Sequence, residues 1–487
     1  MPRADRPRLL LVASLLPLLC ARASATWSIV VANSATGEVG VASATCLRGF
    51  NLQAGAGVVV VGRGAAQAQA AVDGGGGARR TMFTSLQLGI PPQPIINYLQ
   101  TIPNQVTNPE LRQWGIAAIG APAATFTGGG AEAWAGGVAG QVGPISYAIQ
   151  GNILTCAEVV DAAEQALITT PGDLGQKMMA AMQAAKAFGG DGRCSCDPGN
   201  PTSCGCPPPG TWKSAHVGYL TIARIGDTDG TCSEASGCVN GDYYLDLNVF
   251  GPLGAPTSPD PVDTLQTMYD AFRAAHAGHP DGTLSSAAPA VASLPADGTS
   301  QTTLTIALAD IQGTPLTTGG ATVTVSHDPT SAGSSSIGPV VDQGNGTYLV
   351  TLTAGTTAGT DVYRIVVGDA LGPVTLYPHA TLSVRPPGTL LYEVGGVAGG
   401  HRLGTSVCPA GDLDGDAASD FLVGIPEASP GGFPFAGEAR VCSGASGAPL
   451  FSHEGTVEEG RLGSSVARLG DVDGDGIADF LAGAPGG

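Results

Sequence analysis

The sequence predicts a multidomain protein in which a mixed α+β region is followed by an all-β sandwich and then by a repeat array. Three observations carry that reading. The chain has 487 residues, enough for about three domains at roughly 150 residues each. Its patterning changes twice: helix-start signals occur before residue 278, alternation rich in Thr, Ser, Gly and Val fills 283–385, and an acidic motif repeats after 395. Its 74 Gly and 36 Pro demand many turns and favour short strands, and 13% charged residues argue against a coiled coil or a wholly disordered chain. The formal net charge is −19, which makes nucleic acid and anionic lipid poor partners, whereas acidic clusters suit calcium.

Residues 1–25 read as a secretory signal peptide. Arg3, Arg6 and Arg8 form a basic start, Leu9 to Leu19 is an apolar run too short to span a bilayer, and Ala23-Ser24-Ala25 is a small-residue cleavage site. Cys20 follows Leu19 rather than a small residue, which argues against a lipoprotein anchor. No later stretch reads as a membrane helix, so the mature protein is expected to be soluble and exported, whether secreted, periplasmic or at the cell surface.

Residues 26–278 mix strands and helices. Thr26 to Asn33 and Val39 to Thr45 read as a hairpin around a Thr-Gly turn, and Ala54 to Val61, Trp114 to Ile119, His216 to Arg224 and Tyr243 to Val249 read as further strands. Thr155 and Glu158 form a capping-box pattern before a helix. Thr170 with Pro171 is expected to cap a second helix whose buried stripe is Leu174, Met178 and Met182, ended by Gly189-Gly190. A last helix is expected from about Asp260 to Ala275. Six cysteines crowd the insertion 194–238. In an oxidising compartment they favour disulfides, each worth roughly 2–4 kcal/mol; the rival is a zinc site, which C-x-C spacing fits poorly.

Residues 283–385 alternate in the manner of a β-sandwich, with turns such as Asn345-Gly346 between the strands. In residues 395–487, Arg402-Leu403-Gly404-Thr405-Ser406-Val407 recurs as Arg461-Leu462-Gly463-Ser464-Ser465-Val466. Asp412, Asp414, Asp416 and Asp420 recur as Asp471, Asp473, Asp475 and Asp479, an offset of 59 residues. Such a repeat signals a stacked or circular array. Carboxylates at positions 1, 3, 5 and 9 of a tight loop can surround Ca2+ with oxygen, while Val423 and Ala482 stand where an EF-hand has its bidentate Glu. A structural calcium ion is therefore expected here, a solvated acidic turn being the alternative. Asp227-Thr228-Asp229-Gly230 is a shorter look-alike.

Signal cleavage would leave Thr26 with a free α-amino group. An N-terminal Thr can serve as nucleophile and base together, because its own amine takes the hydroxyl proton.

Three resemblances add to this reading. The segments around Pro295-Ala296-Asp297-Gly298 and Gly344-Asn345-Gly346-Thr347-Tyr348 resemble bacterial immunoglobulin-like domains of invasin type, which implies a spacer or adhesive stalk. Asp420-Phe421-Leu422-Val423-Gly424 and Asp479-Phe480-Leu481-Ala482-Gly483 resemble the FG-GAP repeats of integrin-type β-propellers, here a partial, truncated set. Thr26-Trp27-Ser28-Ile29-Val30-Val31, Thr36-Gly37-Glu38-Val39-Gly40-Val41-Ala42 and, most specifically, Tyr147-Ala148-Ile149-Gln150-Gly151-Asn152 resemble the DUF1028 family. That resemblance implies a four-layer αββα sandwich of the N-terminal nucleophile hydrolase type and a possible amidohydrolase acting on cell-wall peptide amide bonds. Under it, Thr26 attacks a carbonyl carbon. Gln150 and Asn152 bind substrate or the oxyanion, or else stabilise a turn. Arg48 or Arg63 lowers the amine pKa. Asp191 and Arg193 form a structural ion pair or anchor a polar substrate. Lys177, Lys186 and Lys213 all read as distant from the opening hairpin. The alternative is a non-catalytic adhesion or scaffold protein that binds a surface glycan or protein.

Overall fold

The computed structural model describes residues 26–71, 75–101, 106, 108–132, 134–251, 258–386, 393–395, 399–416, 418–472, 474 and 477–487. The expected signal peptide and two repeat aspartates, Asp473 and Asp475, lie outside these residues. The chain divides into two compact units, one of residues 1–284 with 310–314 and 371–378, the other of 285–309, 315–370 and 379–487.

The first unit contains, in chain order, β1 (Thr26–Asn33), β2 (Val39–Thr45), α1 (Leu52–Ala56), β3 (Gly57–Val60), β4 (Gly64–Ala70), α2 (Gly77–Gln87), α3 (Pro92–Leu99), β5 (Arg112–Ala118), β6 (Ala121–Thr127), β7 (Ala135–Val142), β8 (Ile145–Asn152), α4 (Glu158–Thr169), α5 (Leu174–Ala187), α6 (Gly192–Ser195), β9 (Val217–Ala223), β10 (Leu245–Val249) and α7 (Pro261–Ala275). Two antiparallel sheets result, β10-β9-β2-β1-β8-β7 and β3-β4-β5-β6. Side chains alternate across a strand, so the two faces of β1 go to different places. Trp27, Ile29 and Val31 pack with Val160, Met178 and Leu265 of the helices, while Val30 and Ala32 pack with Val59, Ala65 and Ala117 of the second sheet. On the far side of that sheet, Trp114 and Ile116 pack on Met82, Leu86 and Ile95 of α2 and α3. The layering is therefore helix, sheet, sheet, helix. A strand covered on both faces reads as a continuous apolar run rather than an alternating one.

Several expected boundaries change. Residues 52–56 form α1, so the strand expected from Ala54 starts only at Gly57. α4 has Ala157 at its N-cap with no side-chain cap, because the Thr155 hydroxyl donates instead to the Phe188 carbonyl at 2.7 Å. α5 is capped by Asp173 rather than Thr170: Asp173 accepts from the Gln176 N–H at 2.8 Å and Gln176 returns the bond to the Asp173 N–H. The Asp227 carboxylate accepts from the Arg224 and Tyr244 N–H groups and Asp229 from Val61, so both work as turn acceptors.

Four disulfides join Cys46–Cys194, Cys156–Cys206, Cys196–Cys204 and Cys232–Cys238, which decides against a zinc site in the cysteine-rich insertion. Cys408 and Cys442 remain free thiols.

In the second unit, strands Ser286–Pro289, Gln301–Ala307, Thr347–Thr353 and Ser336–Asp342 form one sheet, and Ser293–Pro295, Ala380–Arg385, Gly359–Asp369 and Thr322–His327 neighbour one another in a second. Their buried positions alternate as the pattern predicts: Leu304 and Ile306, Tyr348, Val350 and Leu352, then Tyr363, Ile365 and Val367. The first repeat forms a four-stranded sheet over Ser406–Gly411, Asp420–Ile425, Glu438–Cys442 and Pro449–Glu454, and the second a strand pair, Ser465–Gly470 with Asp479–Gly483.

One buried cation ties the first unit together. Arg224, just past β9, donates to Glu38 and to Asp281 at 2.8 Å each, and its guanidinium lies 3.4 Å from the centroid of the Tyr244 ring. All three charged groups are buried. Burial pushes the Asp281 carboxyl up, but the charge of Arg224 and the hydrogen bonds from Arg224 and Thr283 more than offset this and hold it below the usual carboxylate range. Its contribution to stability is therefore complete above that range and is lost as pH falls through the lowered folded value. Arg224→Ala strands two buried carboxylates, and is expected to cost about 3–5 kcal/mol in chemical denaturation.

Candidate active site between the sheets

The layer between the two sheets is apolar at one end and polar at the other. At the apolar end lie Val30, Ala32, Val39, Val41, Val59 and Ala65. At the other lie Thr26, Ser28, Ser43, Gln67, Gln69, Gln113, Gln150 and Asn152, each at most 2% exposed. Amides buried at this density stay folded only if hydrogen-bonded, and some of them are. Gln113 Nε2 donates to the Gly151 carbonyl at 2.7 Å and to Thr127 at 2.9 Å, and its Oε1 accepts from Gln69 at 3.0 Å. Gln67 accepts from Tyr219 at 2.5 Å and donates to Ser43 at 3.2 Å, and Ser43 donates to the Trp27 carbonyl at 2.7 Å. The bonds of Gln113 to Gly151 and of Gln67 to Tyr219 and Ser43 run from sheet to sheet.

A second set is left over. In the register of β1 and β8, Thr26 faces Asn152 and Ser28 faces Gln150. Directly paired residues share a sheet face, with Cβ atoms about 4.5–5.5 Å apart. Gln150 Oε1 accepts from Thr125 of β6 at 2.7 Å, so this face looks toward the second sheet. Gln69 Nε2, reaching from that sheet, donates to the Thr26 carbonyl at 2.9 Å. Yet Ser28 Oγ, Gln69 Oε1, Gln150 Nε2 and both polar atoms of the Asn152 side chain have no hydrogen-bond partner. The backbone beside them is strained as well. Ile153, next to Asn152, has φ +52° and Ala70, next to Gln69, has φ +71°. A β-branched residue in that region is an outlier, at a cost of about 1–3 kcal/mol.

Asp191, Arg193 and Arg48 lie near the same end of the strands, around the end of β2. Asp191 is fully buried; its carboxylate accepts from the Cys46 N–H at 2.6 Å and pairs with Arg193 at 2.8 Å. Arg48 is exposed, and its Nε–H donates to His216 Nε2 at 3.2 Å. Lys213 belongs to this group, contrary to expectation: it shares a field with Arg48 and His216, and the His216 N–H donates to the carbonyl of Thr45, the last residue of β2. The chain folds back here, which linear distance conceals. Arg63 sits in the turn between β3 and β4. The register pairs Gly64, not Gln69, with that turn, so Arg63 is at the far end of the strand from Thr26. Gln67, Gln69 and Gln113 were missed by sequence reasoning. The signal was present in Gly64-Ala65-Ala66-Gln67-Ala68-Gln69-Ala70, where a polar residue recurs with period two in a run of small ones.

In the repeats, Asp412, Asp414 and Asp420 each offer a carboxylate oxygen within 4.8 Å of the others. Asp420 is buried, and its two oxygens accept from the Leu413 and Gly444 N–H groups. Asp416 accepts from Ala418. Asp471 and Asp479 make the matching turn bonds, to Gly474 and Val472. Desolvation, with like charge from Asp416, Asp420 and Asp412, raises the Asp414 carboxyl.

Residues 26–197 match a family of unknown function, DUF1028. Residues 281–376 match invasin domain 3. Integrin alpha-4 of Xenopus laevis is 39% identical over 104 residues, 20% of this chain and 10% of that protein. Integrin alpha-X of Mus musculus is 34% identical over 125 residues, 24% of this chain and 10% of that one. The chain thus spans about a tenth of the length of these curated relatives. Among solved structures, a DUF1028 protein from Silicibacter pomeroyi is 18% identical, covering 51% of this chain and 89% of its own with a TM-score of 0.36. The Yersinia pseudotuberculosis adhesin InvE is 19% identical, covering 41% and 58% with a TM-score of 0.17.

Two substitutions separate the two kinds of buried amide. Gln113→Leu removes bonds to Gly151, Thr127 and Gln69, and is expected to lower stability by about 1–3 kcal/mol. Asn152→Leu removes no bond, so its thermal melting point is expected to match or exceed that of the unaltered protein.

Proposed function

We propose that the first domain is an amide-bond hydrolase of the N-terminal nucleophile type, with Thr26 as nucleophile once residues 1–25 are removed. The observation that carries this is Asn152, a buried amide directly opposite Thr26 whose donor and acceptor are both unused. A buried amide left unpaired costs stability, and a ligand that pairs with it removes that cost. In this reading the Thr26 α-amine, with an ordinary pKa of about 8, takes the hydroxyl proton as Oγ attacks the carbonyl carbon. Asn152 Nδ2–H donates to the oxyanion of the tetrahedral intermediate. The amine leaves with the proton, and water then hydrolyses the Thr26 ester. Gln150 and Ser28 orient the substrate amide. Cell-wall peptide is the substrate class we favour. Four disulfides suit an oxidising compartment, and no described helix is long and apolar enough to cross a membrane. In this reading the protein is secreted, or displayed in the periplasm or at the surface. The later domains then serve as binding modules for a surface glycan or protein.

A second reading is a non-catalytic adhesion or scaffold protein. Two observations favour it: Thr26 is 1% exposed, and a cavity of about 840 Å3 lies at the opposite end of β1, lined by Asn33, Glu38 and Asp173 among others. Mass mapping of the mature protein after treatment with a Thr-directed electrophile decides between the two. The hydrolase reading predicts a single adduct on Thr26, absent from Thr26→Ala and reduced in Asn152→Leu. A correctly processed N-terminus without an adduct supports the scaffold.

In either reading the repeat loops bind Ca2+ through Asp412, Asp414, Asp416 and Asp420, and through Asp471, Asp473, Asp475 and Asp479. The ion would neutralise carboxylates that repel one another. Chelation is expected to lower the melting temperature of the repeat region by several degrees and added Ca2+ to restore it, as calorimetry would show; an unchanged profile removes the ion from the account.

A further inference from the structure

The four disulfides sit in different electrostatic surroundings. Beside Cys156–Cys206 is a carboxylate: Cys206 Sγ lies 3.5 Å from Glu158 Oε2. Cys196–Cys204 is bordered by neutral groups, the Asn200 and Ser195 carbonyls and the Ser203 hydroxyl. The Cys238 half of Cys232–Cys238 is fully buried. Cys46–Cys194 differs from all three. Both residues are half-buried, and a ring nitrogen of His216 lies within 4.8 Å of both sulfurs.

His216 is 7% exposed. Its Nε2 accepts from the Arg48 Nε–H, so in the neutral ring the proton is on Nδ1. Burial, then the charges of Arg48 and Lys213, lower its pKa and keep it neutral. The Nδ1–H is buried and has no acceptor. The nearby acids are already occupied. Asp191 accepts from the Cys46 N–H and pairs with Arg193, and Asp260 accepts from the Ser214 and Val262 N–H groups. Beside these sulfurs is therefore a ring whose Nδ1–H has no acceptor, with the charges of Arg48 and Lys213 behind it.

We propose that Cys46–Cys194 is the reactive disulfide of this protein, a site of exchange with anionic low-molecular-weight thiols. A thiolate of the external thiol attacks one sulfur. The bonding pair leaves with the other sulfur, which becomes a thiolate and accepts the His216 Nδ1–H. A second external thiolate then opens the mixed disulfide. Two external thiols are oxidised to their disulfide while Cys46 and Cys194 are reduced to thiols. A leaving thiolate stabilised by a donor and positive charge departs faster. The same charges draw an anionic attacker to one spot on a chain of net charge −19. Cys46 follows Thr45 at the end of β2, and the bridge closes a separation of 148 residues. Opening it removes the covalent tie between that strand end and α6. None of this depends on the hydrolase reading.

The test uses the full chain treated with reduced glutathione, quenched with iodoacetamide at intervals and mapped by peptide mass spectrometry. Cys46 and Cys194 are expected to be alkylated about tenfold faster than Cys156 and Cys206, at a rate that falls as salt is raised. His216→Leu is expected to slow opening about tenfold. Arg48→Gln, at an exposed position that leaves the fold intact, is expected to slow it and flatten the salt dependence. Opening of Cys46–Cys194 no faster than Cys156–Cys206, or a rate indifferent to both substitutions, overturns the proposal.

Discussion

Two sheets in this protein meet through a layer that changes character along its length, and the rest of the first domain follows from that gradient. At the apolar end the layer is ordinary core and stabilises the fold through area removed from water. At the amide-rich end the same packing would be unstable without bonds running from sheet to sheet. Gln113 and Gln67 supply them, bonding across the layer to backbone and hydroxyl groups. Having paired those groups, the fold still holds a residue of unused donors and acceptors around Thr26 and Asn152. A layer built only for stability would carry Val or Leu at these positions, as it does four residues along β1 at Val30.

Much of the architecture was legible because hydrophobic pattern and turn chemistry agree with the fold. β1, β2 and β9, the helix over 261–275, and the alternating strands of the sandwich stand close to where periodicity puts them. The cap residues were less legible. Thr155 and Asp173 are both competent caps, and the choice falls to tertiary partners: Phe188 claims the Thr155 hydroxyl, while Gln176 completes the box with Asp173. α2 and α3 left no clear signal, since Gly77 and Pro92 open them without a side-chain cap.

The site was legible in one dimension only. Thr26 is legible as a strand start after a cleavage site, Gln150 and Asn152 through the resemblance to DUF1028, and β1 and β8 are hydrogen-bonded neighbours. Gln67, Gln69 and Gln113 could not be placed, because they arrive from the other sheet. Lys213 looked remote for the same reason: the cysteine-rich insertion brings it back to the end of β2. Six cysteines crowded into one segment pointed to disulfides, but two of the bridges run outside that segment, to Cys46 and Cys156.

The domain order gives the account its biological shape. A segment matching DUF1028 comes first, a segment matching invasin domain 3 follows, and acidic repeats lie beyond. The account turns on whether the N-terminus of the first domain completes the unfinished polar set. A high-resolution crystal structure of the protein purified from its natural compartment measures this directly. The account predicts a chain beginning at Thr26, its amine within hydrogen-bond reach of its own Oγ, and ordered solvent or ligand on Asn152. Residue 25 still attached, or Asn152 satisfied by protein atoms alone, would contradict it.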